Sequence, residues 1–348
     1  MTSTRSPDAG RLDVLDGWRG ISILLVMAAH LLPLSPKAWQ FNEMVAPMGM
    51  ALFFTLSGFL ITRFLLEHDS VTDFLIRRFF RIIPLAWLAM AAALLMAQAP
   101  REAILPHFLF YANLPPGYLT DVASHLWSLC VEMQFYIGIA LLVVSFGKRG
   151  LYLLPLICVA VTLHRVASGA TVDIVTWRRV DEILAGALLA MTFSGRFGAA
   201  GPRLIGRLNA YVLIVLLALS AHPRLPYLNY LRPYIAALLV GVTLFAPPPR
   251  LASLLKTRTL AYIAWISYAL YVTHHLLMHT WLGSGDKVEV RQAAAADCRD
   301  LCAVAPVDQV LRAALHRFRQ TPVAAPACRE GRPCRRMSRR TAPGSASS

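Results

Sequence analysis

A chain of 348 residues with 57% hydrophobic and only 15% charged side chains, and a mean hydropathy of +0.54, lies outside the range of water-soluble globular domains. Its formal net charge of +15 does not indicate a nucleic-acid-binding surface, because the cations stand at the ends of apolar stretches and in the C-terminal region instead of forming a stripe on a folded domain.

Nine apolar stretches free of Asp, Glu, Lys and Arg are candidate spans: 20–36, 44–62, 82–100, 133–147, 150–164, 183–195, 208–223, 233–249 and 259–285. A helix needs about 20 apolar residues, or about 17 at the short end, to cross the hydrocarbon core. The pattern predicts an all-α polytopic membrane helix bundle of about nine transmembrane helices, with 183–195 the shortest stretch. The first is read as an uncleaved helix and not a signal peptide. Asp16 and Arg19 stand at its entrance, no small-residue cleavage site follows, and eight more stretches come after it. With the N-terminus in the cytoplasm, the inner segments carry fifteen Lys and Arg residues and the outer segments seven, counting the chain before the C-terminal tail. That asymmetry favours the cytoplasmic N-terminus.

Arg19 and His30 are eleven residues apart on the first helix, which turns the chain by about 1100° and puts both side chains on one face, roughly 16 Å apart along the axis. Ionisable groups in a bilayer are costly and mark functional candidates. On the second stretch, Ser57 and Gly58 follow Phe53-Phe54, a pattern that suits a close helix crossing. Arg78 and Arg81, three apart, share a face at the entrance of the third stretch, where guanidinium forks suit phosphate oxygens. The fourth opens with Trp127-Ser128-Leu129-Cys130-Val131-Glu132-Met133-Gln134, where Glu132 and Gln134 need partners and could orient a histidine or an acceptor hydroxyl.

Residues 287–348 hold twelve of the 34 basic residues and five acidic ones, together with Cys298, Cys302, Cys328 and Cys334. The Ala-, Pro-, Arg- and Ser-rich composition reads as a disordered basic tail. The cysteine spacing fits a zinc site poorly, and a shifted reading frame after about Val288 is the favoured account of the tail. The domain division is therefore 1–286 for the membrane domain and 287–348 for the tail, and no metal is assigned to the chain.

The set Asp16-Gly17-Trp18-Arg19-Gly20 with His30, then Phe53-Phe54 and Ser57-Gly58-Phe59, Arg78-x-x-Arg81, and Ser128 to Tyr136 resembles the acyltransferase-3 family of integral membrane O-acyltransferases. Arg179-Val180-Asp181 with Gly186, and Ser267-Tyr268-Ala269-Leu270-Tyr271 with His274, are further matches. The resemblance covers roughly residues 11–282 in the family's order. Met133 replaces the family's usual second Glu, His275 stands where a proline is often found, and the tenth helix typical of the family is missing.

The resemblance implies transfer of an acyl group, acetyl by expectation, from cytoplasmic acyl-CoA to a hydroxyl of a cell-surface or exported carbohydrate or glycolipid. The setting it implies is the lipid of a bacterial inner membrane. On this basis Arg78, Arg81 and Arg19 would hold the donor, which is a substrate and not a tightly bound cofactor. His30 would act as general base, Glu132 would orient it, and Ser57, Ser128, Gln134 and His274 would line the acceptor site. Two alternatives stand beside it: a transporter or flippase with an Arg19/His30/Glu132 proton relay, and an inactive truncated acyltransferase. The sequence sets no oligomeric state.

Overall fold

The computed structural model of the chain describes residues 12–34 and 36–280, which contain twelve α-helices and no strand. The predicted tail and its four cysteines lie outside the described residues.

The first three helices are long: α1 (Asp13–Leu31), α2 (Phe41–Glu67) and α3 (Val71–Met96). Ser70 starts α3 by accepting from the Asp73 backbone N–H at 3.0 Å. A short α4 (Arg101–Phe108) leads to α5 (Trp127–Phe146), which ends at Gly147, a residue with φ of 63°. Then come α6 (Leu154–Ala167), α7 (Asp181–Phe193), α8 (Ala200–Gly206) and α9 (Ala210–Ala221). Finally α10 (Arg232–Phe245) and α11 (Pro249–Leu255) precede α12 (Arg258–Met278).

Helices occupy all nine apolar stretches, but the count of nine membrane spans is not reached by length. Among the described residues, five helical runs are long and apolar enough to cross a membrane, or six if α8 and α9, bent by 86°, form one broken span. One of the five runs, 124–167, is itself interrupted at Gly147. Helices α6, α7, α9 and α10 have only 12 to 14 residues, or about 20 Å at 1.5 Å per residue. Helix α12 is long enough, yet Ser267, His274 and His275 lower its hydropathy.

Apolar side chains also cover the outside. Leu95 is 79% exposed, Val144 70% and Leu156 68%. In water such a surface would be an aggregation liability; against lipid it is the expected coat.

Inside, α1, α2, α7 and α10 form the centre, with α12 packed on α1 and α3. Lipid supplies no hydrophobic drive between helices, so close backbone approach must hold them. The crossing of α2 and α7 does this reciprocally. A Cβ on Gly58 would stand 1.8 Å from the Ile183 carbonyl oxygen, and one on Gly186 would stand 2.0 Å from that of Thr55. The Ser57-Gly58 pattern is thus part of a tight crossing, as its small residues suggest.

The bundle has two distinct ends. At one, Lys148 binds Asp69 at 2.7 Å and the Leu66 carbonyl at 3.0 Å, joining the α2–α3 and α5–α6 links; the ammonium holds the exposed Asp69 carboxyl below the usual carboxylate range. At the other end His30 meets His274, and Arg224 and His222 bind the carbonyls of Ala38 and Trp39. These are called the lysine end and the histidine end below.

Candidate active site

At the histidine end, α1 and α12 finish side by side and α5 begins. His30 Nδ1 lies 3.1 Å from His274 Nε2, and His274 Nδ1 lies 2.6 Å from the Tyr271 carbonyl oxygen. A carbonyl only accepts, so His274 carries its proton on Nδ1, and its Nε2 lone pair then receives the His30 Nδ1 hydrogen. This network assigns the tautomers. It leaves the His30 Nε2 lone pair free for a third group, and His30 is only partly buried.

Beneath this pair, the Tyr271 hydroxyl donates to the His125 carbonyl at 2.5 Å, and Ser128 Oγ, also 2.5 Å away, donates to Tyr271. Ser128 thus touches the group that supports His274, one residue removed from His30. Two further imidazoles complete the layer. His125 binds the Val272 carbonyl through Nε2 and stacks on His275 with ring centres 4.3 Å apart, while His275 lies edge-on to His30 at 5.1 Å. Among the described residues, buried His125 Nδ1 and both ring nitrogens of His275 have no partner with hydrogen-bond geometry, although the Asp121 main chain lies near His275.

Nearer the lysine end lies a second polar layer. Arg19 is within electrostatic range of Asp16, Arg78, Glu132 and Tyr136. The Tyr136 hydroxyl donates to Glu132 Oε1 at 2.5 Å, and the Arg78 guanidinium sits 5.6 Å from the centre of the Tyr136 ring. Arg81 acts electrostatically on Tyr136 and Tyr268, and Tyr268 donates to the Ile82 carbonyl at 2.6 Å. The predicted Arg19, Arg78, Arg81 and Glu132 therefore come together.

A narrow cavity lies between the layers, lined by Ser22, Val26, Met50, Phe53, Ser267 and Tyr271. Val26 is seven residues from Arg19 and four from His30, so it shares their face of α1. The cavity is small and its lining includes neither the arginines nor the histidines; beside it Phe53 stacks on Tyr271 with ring centres 6.0 Å apart.

The structure redistributes several of the sequence-derived roles. The place beside His30 is taken by His274, not by Glu132, which reaches towards Tyr136 and Arg19 one layer away. Gln134 directs both amide hydrogens to the connecting segments, binding the Phe110 carbonyl at 2.8 Å and Asn113 Oδ1 at 2.9 Å. Asn113 in turn binds the Ile174 carbonyl and Thr176 Oγ1. Gln134 therefore pins loops, and its donors are already engaged. Ser57 lies one turn from Phe53 on the same face of α2 and borders the α7 crossing; the described contacts do not bring it to the histidines.

Sequence reasoning passed over His125 and discounted His275. One signal was available: adjacent histidines in an apolar stretch, as His274 and His275 are in 259–285, are costly without a purpose; His125, outside the nine stretches, carried none. It also passed over a buried ion network at the start of α7. There Arg165 pairs with Asp181, Arg232 Nε binds Glu182 Oε1 at 2.8 Å, and Arg179 Nη2 lies 3.4 Å from Glu182 Oε2. Three guanidinium groups face two carboxylates, all at most 3% exposed. Arg179 also lies over the Trp127 ring, 5.3 Å from its centre, which ties the network to the start of α5.

A family model described as an acyltransferase domain matches residues 12–290. The peptidoglycan O-acetyltransferase OatA of Listeria monocytogenes is 24% identical over 309 residues, covering 75% of this chain and 48% of that protein. Nodulation protein 10 of Rhizobium leguminosarum is 28% identical over 128 residues, 30% of this chain and 35% of that protein. Putative O-acetyltransferases of Staphylococcus aureus are 30% identical over 154 residues, 38% of this chain and 24% of theirs. The chain thus spans half or less of the length of these relatives. No solved structure matches it.

Proposed function

The chain belongs to the acyltransferase-3 family and is a multi-pass membrane acyltransferase; from that premise we propose that it transfers an acetyl group from acetyl-CoA to a hydroxyl of a carbohydrate. Membership in the family favours an enzyme over the transporter alternative. Positive charge is concentrated at the lysine end, where Arg77, Lys148, Arg149, Arg203 and Arg207 lie on the same side as the α2–α3, α5–α6 and α8–α9 links. That end faces the cytoplasm in this reading, and the histidine end faces outward.

Arg78 and Arg81, with Arg19 behind them, hold the nucleotide phosphates through charge-assisted hydrogen bonds. Glu132 and Tyr136 keep these guanidinium groups in place. The pantetheine arm runs along the α1 face shared by Arg19, Val26 and His30, displacing the side chains packed there, which brings the thioester to the histidine layer. His30 Nε2 then accepts the proton of the acceptor hydroxyl as its oxygen attacks the thioester carbonyl. The tetrahedral intermediate collapses, the C–S bond breaks, and the departing thiolate takes the proton from His30. The products are the sugar ester and free CoA. No covalent acyl-enzyme is required. Throughout, His274 holds the His30 ring and its Nε2 accepts a hydrogen bond from the imidazolium, while Ser128 and Tyr271 support His274.

The observation that carries this reading is the chain of contacts from the Tyr271 carbonyl through His274 to His30, because it orients the Nε2 lone pair of a partly exposed imidazole on the helix face that also carries Arg19. Purified protein in lipid nanodiscs, supplied with acetyl-CoA and an oligosaccharide acceptor, provides the test. His30→Ala should lose about 10²–10⁴-fold in transfer while binding acetyl-CoA as wild type does. Arg78→Gln with Arg81→Gln should instead raise the KM for acetyl-CoA. Undiminished transfer by His30→Ala would refute the proposal.

A further inference from the structure

We propose that His30, His274 and His275 form a binding site for one divalent transition-metal ion of the zinc class. Each residue offers one nitrogen, and the three nitrogens lie within 4.8 Å of one another. His30 Nδ1 and His274 Nε2 are 3.1 Å apart. Two imidazole ligands of a tetrahedral ion, each bonded at about 2.0–2.1 Å, sit about 3.4 Å from each other. The observed pair would thus open by only a few tenths of an ångström to admit an ion between its nitrogens.

Two further features point to a ligand. Both ring nitrogens of His275 are buried, and among the described residues neither has a partner with hydrogen-bond geometry, although the Asp121 main chain lies near; such atoms are costly unless something binds them. The Nδ1–H of His274 is held by the Tyr271 carbonyl at 2.6 Å, the outer-sphere arrangement that fixes a metal-ligating histidine and keeps its other nitrogen unprotonated. His125, stacked on His275 at 4.3 Å, limits how far that ring can turn. Three imidazoles and no carboxylate among the ligand atoms select zinc, cobalt, nickel or copper over magnesium or calcium. His30, the most exposed of the three, opens the site towards the histidine end.

A bound ion takes the His274 Nε2 lone pair and displaces the proton on His30 Nδ1. The His30 ring then keeps its proton on Nε2, so the ion and the general base exclude each other, and the metal inhibits transfer. That consequence rests on the proposed role of His30; the site itself does not.

The full chain, purified without a polyhistidine tag and stripped with a chelator, should bind one Co²⁺ with the intense visible absorption of a tetrahedral nitrogen site. Zn²⁺ should displace the cobalt. His275→Ala and His275→Gln should each weaken the binding at least about 10-fold, with thermal unfolding used to verify that each variant is folded. Absence of cobalt binding by the wild type, or equal binding by both folded variants, overturns the site. In the transfer assay, the ratio of activity with chelator to activity with Zn²⁺ should be large for wild type and near one for His275→Ala. If zinc binds as expected but that ratio is near one for wild type, the site stands and the assignment of His30 as base falls.

Discussion

The chain buries two clusters of ionisable residues at the same end of the bundle, and they are built in opposite ways. In the network of Arg165, Arg179, Asp181, Glu182 and Arg232, each carboxylate faces at least one guanidinium, and neighbouring carbonyls and Asn229 take further hydrogens. In the histidine layer the rings bind each other and main-chain carbonyls, and several lone pairs remain open. A burial cost as large as that of bare charge has to be met locally by counter-charge, so the first cluster is read as structural, although Arg179 Nε and Nη1, Glu182 Oε2 and Arg232 Nη2 have no hydrogen-bond partner among the described residues. Neutral imidazoles cost less to bury and can keep a free nitrogen, so the second can do chemistry.

If that distinction is right, substitutions in the two clusters should divide between stability and activity. Asp181→Ala leaves the Arg165 guanidinium buried and uncompensated and should cost about 3–5 kcal/mol, read as loss of monodisperse folded protein or a large drop in Tm. Joint replacement of Arg165 by Met and Asp181 by Leu should recover most of that loss. A smaller effect, about 1–3 kcal/mol, is expected for Gly58→Ala, because the added methyl meets the Ile183 backbone carbonyl and forces α2 from α7. His30→Ala should change stability by less than about 1 kcal/mol while lowering transfer by about 10²–10⁴-fold. A large fall in its Tm would erase the proposed contrast.

The smallest effect belongs to Asp173, in the link between α6 and α7. Its partial burial raises its carboxyl pKa, but the N–H groups of Val175 and Ile174 and the Arg178 guanidinium outweigh this and hold it below the usual carboxylate range. A carboxyl whose pKa is lowered by folding adds stability above its unfolded value, and that contribution disappears as pH falls through the folded one. Asp173→Asn should therefore cost less than about 1 kcal/mol at neutral pH, and in thermal melts the difference from wild type should begin to shrink as pH falls below about 4 and disappear at lower pH.

Much of the architecture was legible in the residues. Charge-free stretches located the helices, because a bilayer tolerates few unpaired charges, and helical periodicity placed Arg19 and His30 on one face and Arg78 beside Arg81. The span count was less legible, since a helix is read from apolar length, whereas α6, α7, α9 and α10 are shorter than the bilayer core and α12 gives up apolarity to carry its histidines. Glu132 and Gln134 were recognised as needing partners, but those partners, Tyr136 for one and Phe110 and Asn113 for the other, could not be chosen from the sequence.

Taken alone, the sequence determined the helices, their membrane setting and the faces on which the candidate residues stand, because these depend on interactions within a few turns of one chain segment. Only the tertiary structure decided which faces meet. His30 and His274 are 244 positions apart, and they touch because α1 and α12 finish at the same end of the bundle. The physical reason is that helix periodicity fixes a side chain's direction from its own axis, while its neighbour across the bundle depends on which helices can approach closely enough to pack.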